Sequence, residues 1–315
     1  MDNLYVGVDL GGTKIYTALC YGNGKFINEI ILKTEAEKGA EQIVQKIKDS
    51  IKYVIKDIDK SKIKAIGLGS PGPLDIKNGL IAEPANLPFV NFPIVDELFN
   101  EFNIKIYLDN DANVATLAEY MFGVGKGTNN MVYVTVSTGV GGGAILNGKI
   151  YRGSTSNALE VGHTTVSVYG RRCGCGNIGC VEAMSSGTAM MKAAKDAISS
   201  RVETSLKNYN NITAKELFLE ANKGDKVSME IVETAMSYLG VAISNYANIL
   251  DPDLIIIGGG ITDSGDLMFE IIHKEMKKRC LGPILRNCKI SKSSLGSKIG
   301  VLGAIALAMI ESKNK

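Results

Sequence analysis

The sequence predicts an α/β protein built as two α/β halves around a shared central cleft. Three observations lead there. Short β-branched apolar runs alternate with longer segments of helical period, the pattern of layered α/β folds. A run of strand, glycine turn, strand, hairpin and strand opens the chain and recurs near Asn130. And 315 residues are more than one domain of ordinary size needs. Glycine supports the same picture: 35 residues, about one in nine, against about 7% in average chains. The glycines cluster behind apolar runs, where a backbone turns sharply or a ligand comes close.

Taken in order, Leu4–Leu10 reads as a buried strand, and Lys14–Leu19 and Lys25–Lys33 as two more around Gly22-Asn23-Gly24. From Ala40 to Ile58 the apolar residues Ile43, Ile47, Ile51, Val54, Ile55 and Ile58 recur every three to four positions, which predicts an amphipathic helix. Ile63–Leu68 and Ile104–Leu108 follow as strands, the second delivering Asp109-Asn110-Asp111 to a helix over Ala112–Phe122 that Gly123 ends. Met131–Val136 starts the second half, Gly143–Leu146 continues it, and Asn147-Gly148 is a hairpin turn. A helix-rich stretch runs from about Gly187 to Leu250, Leu254–Ile257 is a buried strand, and Ile299–Ile310 is an apolar helix.

Charge excludes some functions. Lys and Arg number 35 against 33 Asp and Glu, a net +2 with no basic block, so nucleic acid and membrane surfaces are not expected partners. No apolar run is long enough to span a bilayer, and the start lacks the basic and apolar regions of a secretory leader. A cytoplasmic location is expected.

Several motifs carry chemistry. In Asp9-Leu10-Gly11-Gly12-Thr13-Lys14 a strand ends on a carboxylate, two glycines let backbone N–H groups face an anion, and Thr13 adds a hydroxyl. Asp9 is placed to hold Mg²⁺; a tight hairpin with a capping Asp is the other reading of these six residues. Ser137-Thr138-Gly139-Val140-Gly141-Gly142-Gly143 repeats the logic, and Gly258-Gly259-Gly260 ends a third strand. Together they predict a nucleotide phosphate site. Gly67-Leu68-Gly69-Ser70-Pro71-Gly72 matches a dinucleotide fingerprint, but that motif must open a helix, and Pro71 and Pro73 argue for a loop. No P-loop occurs.

Cys173, Cys175 and Cys180 lie within eight residues, with His163 ten residues upstream. One imidazole and three thiolates match a closed tetrahedral Zn²⁺ site, and glycines allow the tight loop. A disulfide is the competing reading, disfavoured by a reducing compartment. Cys20, Cys280 and Cys288 read as buried or free thiols, and His273 as a solvated residue. A polar group is expected around the cleft: Asn110, Asp111, Glu160, His163 and Glu182. Asp111 follows a buried strand and can take a proton from a substrate hydroxyl; Asp109 or Asp111 could equally cap the helix. For Glu160 or Glu182 singly, a solvated surface position is the competing reading.

These residues resemble the family of repressors, open-reading-frame kinases and sugar kinases, the ROK family, from Val6 to about Gly303. The resemblance rests on Asp9–Lys14, Ser70-Pro71-Gly72-Pro73-Leu74-Asp75, Asn110-Asp111-Ala112-Asn113, Ser137–Gly143, Glu160-Val161-Gly162-His163 and, most specifically, Cys173-Gly174-Cys175-Gly176-Asn177-Ile178-Gly179-Cys180-Val181-Glu182. It implies an actin-like, ribonuclease-H-type ATPase fold. The expected small domain spans 1–117, with the C-terminal helix 299–315 packed back on it; a larger domain spans 118–298 and carries the zinc loop 163–180. It implies phosphoryl transfer from ATP, with Mg²⁺, to a hexose hydroxyl, most like a bacterial glucokinase.

Carried over by position, Asp111 matches the catalytic base, and Asn110, Glu160, His163 and Glu182 match sugar ligands, His163 also being a zinc ligand. Gly11, Gly12, Thr13 and Lys14 match the first phosphate loop, Thr138 and Gly139 the second, and Gly258, Gly259 and Gly260 the nucleoside end. A homodimer is a family expectation. Pro84–Pro93 resembles the substrate-side loop, with Phe89 where glucokinases of the family often carry Trp, so fructose, mannose and N-acetylmannosamine stand beside glucose. Repressors of the family carry a DNA-binding segment before the first loop; the start of that loop at Asp9 favours a kinase. A sugar sensor without turnover is the alternative of another class.

Overall fold

The computed structural model describes residues 3–313. Met1 and Asp2, and Asn314 and Lys315 at the end of the expected 299–315 helix, lie outside the described residues.

The elements run β1 (Leu4–Leu10), β2 (Lys14–Tyr21), β3 (Phe26–Lys33), α1 (Ala40–Val54), β4 (Ile63–Ser70), β5 (Leu74–Asp75), β6 (Leu80–Ile81), α2 (Ile94–Phe102), β7 (Ile106–Asn110) and α3 (Asp111–Phe122). Next come β8 (Met131–Val136), β9 (Val140–Leu146), β10 (Lys149–Ile150), α4 (Val181–Ser185), α5 (Gly187–Ser199), α6 (Ala214–Asn222), α7 (Lys226–Leu250), β11 (Leu254–Gly258), α8 (Leu267–Arg279), α9 (Gly282–Asn287), β12 (Lys289–Lys292) and α10 (Ile299–Glu311). Two compact units result. The first holds the chain up to Gly127, Ile150–Ala158 and the segment from Ser294 on; the second holds Thr128–Lys149 and Leu159–Ser293. Among the described residues no helix is long and apolar enough to cross a membrane.

The sequence repeat is a repeat of topology. In the first sheet the order is β3-β2-β1-β4-β7, in the second β10-β9-β8-β11-β12. In each, a strand pairs antiparallel with its hairpin partner on one side and parallel with a later strand on the other. The central strands β1, β4, β8 and β11 are buried almost throughout, as continuous apolar runs should be when both faces are covered. The glycine turns at Gly11-Gly12 and Thr138-Gly139 therefore leave equivalent strands at equivalent places.

One expectation is corrected. Gly67–Ser70 is not a loop but the end of β4, parallel to β1 and β7. Its glycines answer a packing demand. A Cβ on Gly67 would overlap the Ala304 carbonyl of α10, and one on Gly7 of β1 would meet Val301 and Ile305 of that helix. Helix α1 also stops at Val54, four residues before the periodicity fails, because the chain turns through Asp57 at φ 65°. Gly123 ends α3 as expected, its N–H donating to the Glu119 carbonyl.

In the second unit the start of α7 is fixed by a half-buried carboxylate, Asp225. Burial pushes the Asp225 carboxyl up, but the Ser228 and Ser205 backbone N–H groups and the Ser228 and Thr204 side chains more than offset this and hold it down at about 2. The Ser228 and Ser205 bonds are both 2.8 Å.

Two outcomes are expected. Gly67→Ala should lower stability by about 1–3 kcal/mol, because a backbone carbonyl cannot yield as a side chain does. Gly22→Ala, whose Cβ would find its nearest neighbour at 3.7 Å, should be close to neutral; urea titration compares them. Because the folded Asp225 carboxyl is depressed, its stabilisation is whole above the unfolded value of about 3.9 and is lost as pH falls toward 2. Urea midpoints of wild type and Asp225→Asn should therefore differ at pH 6 and converge only as pH falls through about 2.

Candidate active site and metal centre

In the first unit, Asp9 is the last residue but one of β1, and the turn after the strand is closed by the Gly11 N–H donating to the Lys14 carbonyl at 2.9 Å. Thr34 pins this turn twice: its hydroxyl donates to the Gly11 carbonyl at 2.7 Å and its N–H to the Thr13 carbonyl at 3.0 Å. The Gly12 and Thr13 amides remain as the loop's donors. Burial pushes the Asp9 carboxyl up, and the charge of Lys14 partly opposes that. A Cβ on Gly300 would overlap this carboxylate, so α10 forms the wall behind it.

Strand β7 delivers Asp109, Asn110 and Asp111 in three different roles. The helix cap is neither aspartate but Asn110, whose Oδ1 accepts the Ala112 N–H at 2.9 Å; Asp111 Oδ1 accepts the same N–H at 2.8 Å. Asp109 is fully buried and accepts from Asn110 N–H at 2.8 Å, Asn113 Nδ2 at 2.9 Å and Arg152 Nε at 2.7 Å. Asp111 is exposed at the helix start. Phe89 lies in the core and packs on Phe92 with ring centroids 5.3 Å apart, so the position is apolar filling rather than a sugar contact.

The second unit presents the other set. After β8 the Ser137 N–H donates to the Gly139 carbonyl at 2.9 Å, and Glu182 Oε2 accepts the Val140 N–H at 3.0 Å. A Cβ on Gly139 would press on that Glu182 carboxylate. Glu182 is thus tied to the second glycine loop and is not a solvated surface residue, whereas Glu160 is exposed. Beside the loop lies a cavity of about 250 Å³ whose lining includes Ser137, Thr138, Thr188, Met191, Lys215 and Gly260. The three glycines at the end of β11 differ in use. Gly258 makes room for Tyr133, Gly259 turns the chain at φ 88°, and Gly260 lines the cavity.

His163 ends a single 3₁₀ turn, Val161–His163, packed so closely on β9 that a Cβ on Gly162 would overlap the Val140 carbonyl. Tyr246 of α7 fixes that turn, its hydroxyl donating to the Val161 carbonyl at 2.7 Å. The loop 173–180 closes through the Cys173 N–H donating to the Asn177 carbonyl at 2.8 Å. Positive φ at Gly176 and Gly179 bends it back, and Cys180 caps α4.

The four donor atoms of His163, Cys173, Cys175 and Cys180 lie within 4.8 Å of one another. Cys175 and Cys180 sulfurs are 3.7 Å apart, and Cys173 Sγ is 3.6 Å from His163 Nδ1. A tetrahedral zinc with bonds of about 2.3 Å to sulfur and about 2.0 Å to nitrogen has edges of roughly 3.8 and 3.6 Å. A disulfide would need about 2.05 Å, and all three thiols are free. The donor set therefore fits a closed zinc site. The Asn177 N–H holds the Cys175 thiol below its usual value, while burial raises Cys173 and Cys180. Cys20 and Cys288 are buried, Cys280 half-buried and His273 exposed.

Sequence reading missed Arg152 and Tyr246. Each reaches its partner from far along the chain, and neither stands in a motif that would mark it.

Comparison with known proteins now adds to this geometry. The model of the ROK family matches residues 5–311. The chain is 35% identical over 309 residues to a glucokinase of Halalkalibacterium halodurans, covering 96% of this chain and 94% of that one. It is 31% identical over 310 residues to a xylose repressor of Caldicellulosiruptor bescii, covering 96% of this chain and 77% of the repressor. A crystal structure of a ROK family glucokinase from Streptomyces griseus in complex with glucose and AMPPNP superposes with a TM-score of 0.79, at 30% identity, covering 97% of this chain and 99% of that one.

The purified protein is expected to carry one Zn²⁺ per chain by plasma mass spectrometry. Cys180→Ser should lose at least nine-tenths of it; full zinc occupancy in that variant would remove the metal assignment.

Proposed function

The chain belongs to the ROK family, and we propose that it transfers the γ-phosphoryl group of ATP to a hydroxyl of a hexose, glucose first. Its two units carry the actin-like ATPase fold of the family's sugar kinases. Similarity to glucokinases over 96% of the chain makes it a sugar kinase. The sugar, the donor and the residue roles are our reading.

One observation carries that reading: the duplicated hairpins, which put a glycine turn behind a carboxylate at Asp9 and behind hydroxyls at Ser137 and Thr138. The Gly12 and Thr13 amides would face one part of the polyphosphate, with Lys14 adding charge, and Thr138 and Gly139 another. The 250 Å³ cavity is of a size to take part of the nucleoside, with Gly260 at its wall. Asp9 would hold the Mg²⁺ that accompanies ATP, directly or through water.

Asp111 would accept the proton of the sugar hydroxyl, probed most simply at C6, as its oxygen moves in line toward phosphorus. Asn110 spends its Oδ1 on the helix cap, which leaves its Nδ2 as the atom for a sugar oxygen. With Nδ1 turned to the cysteine cluster, His163 has Nε2 for a second hydroxyl. The metal would supply no chemistry in this scheme; it would tie the His163 turn to the loop 173–180, from which α4 and Glu182 follow. Glu160 and the second oxygen of Glu182 would complete the sugar set. Fructose, mannose and N-acetylmannosamine are the other substrates to test. The reaction belongs in the cytoplasm, where ATP is at hand and thiols stay reduced.

ADP release from Mg·ATP should rise with one sugar of a panel of glucose, mannose, fructose, N-acetylmannosamine and N-acetylglucosamine. Asp111→Asn should cut kcat about 10²–10⁴-fold with glucose binding kept. Glucose binding without ADP release in wild type would favour the sensor reading that the xylose-repressor likeness supports.

A further inference from the structure

Asp109 is a carboxylate with no exposed surface, one residue before Asn110 and two before Asp111. Such a group is tolerated only if its charge is matched and its lone pairs are filled. Oδ1 takes the Asn110 and Asn113 N–H donors, and Oδ2 takes one donor, Arg152 Nε at 2.7 Å. Arg152 is the cation that pairs with it. The same guanidinium donates through its other arm to Glu311 at the end of α10, at 2.8 Å. Arg152 thus ties the end of β7 to the end of α10, and its own carbonyl closes the loop 152–158 by accepting the Ala158 N–H at 3.1 Å.

We infer that Arg152 is a positioning residue for phosphoryl transfer: its guanidinium neutralises Asp109 and so fixes the β7–α3 turn that presents Asn110 and Asp111. The inference rests on the reading of Asp111 as the base. The Arg152 guanidinium is bonded to Asp109 and Glu311. It acts through Asp109, whose orientation sets the Asn110 backbone and, through Asn113, the first turn of α3. Misplacing a catalytic group by an ångström costs turnover far more than binding. Arg152 also lines a cavity of about 410 Å³, roomy enough for a small cation to take the place of a deleted guanidinium.

The test compares Arg152→Ala, Arg152→Lys and Asp111→Asn in steady-state kinetics with the responding sugar. Arg152→Ala should lower kcat about 10–100-fold with the KM for ATP within twofold of wild type, and millimolar guanidinium should restore part of kcat. Arg152→Lys keeps the charge beside Asp109 without the fork to Glu311; it should fold and fall about 3–10-fold, which covers the case in which the alanine variant fails to fold. Wild-type kcat in a folded Arg152→Lys and Arg152→Ala, with Asp111→Asn inactive, overturns the inference and leaves the base in place. A kcat loss that tracks thermal stability and ignores guanidinium also overturns it, since that is a structural role alone. Wild-type turnover in Asp111→Asn removes the base reading, whatever Arg152 does.

Discussion

The first unit depends on how closely α10 lies against its sheet. Gly7 and Gly67 stand side by side on the parallel strands β1 and β4, and over them run Val301, Ala304 and Ile305 of the helix. Small residues on both partners bring backbone within reach of backbone, which adds dispersion contacts that larger side chains would hold apart. The helix contributes glycines of its own. Gly303 admits the Val114 carbonyl of α3, and Gly300 admits the Asp9 carboxylate. One helix thereby sets the ends of β1 and β4 and the height of α3 above them. β1 carries Asp9 near its end, and α3 opens at the Asn110-Asp111 turn that follows the neighbouring strand β7. The site's geometry in this unit follows from a packing constraint on residues that have no chemistry of their own.

That constraint explains what could be read in advance. Buried strands such as β8 and β11 announce themselves, because a short β-branched run bounded by glycine or a polar turn has few other uses. The apolar α10 and the internal repeat were legible for the same reason. The end of β4 was not. Glycines inside a strand look like a turn until the helix that needs them is known, and that helix lies more than two hundred residues later. The sequence offers Asp109 or Asp111 as the helix cap, but the structure uses Asn110 between them, and the Arg152 partner takes Asp109 out of that role. Phe89 fell in a loop resembling a substrate-side segment, but its burial with Phe92 is a tertiary fact. The metal cluster was readable because its spacing brings the sulfurs together locally; the Tyr246 that anchors its histidine turn was not, because that contact spans 85 residues.

In the second unit the metal cluster and the second glycine loop form one body. Cys180 caps α4, and Glu182 lies in the first turn of that helix. Its carboxylate takes the Val140 amide and rests against Gly139, so an anion at the Thr138-Gly139 turn would meet a loop whose shape the carboxylate already sets. The His163 turn leans on the Val140 carbonyl from the other side. A cation that holds three sulfurs and His163 therefore fixes two side chains and a backbone loop at once. Without it, burial disfavours the charged forms of Cys173 and Cys180. The loop would then keep only its backbone bonds.

The two glycine turns are equivalent in topology and opposite in electrostatics. Behind the first stands Asp9, a carboxylate whose ionisation burial resists and Lys14 assists. Behind the second stand hydroxyls and amides. Two amide-lined turns alone would attract an anion, and a carboxylate beside one of them would work against that attraction. In the proposed scheme the contradiction disappears: a divalent cation arriving with the anion would need an oxygen ligand, Asp9 would gain a partner, and Lys14 would add positive charge. The asymmetry between the repeats is what the proposed Mg·ATP reading would require.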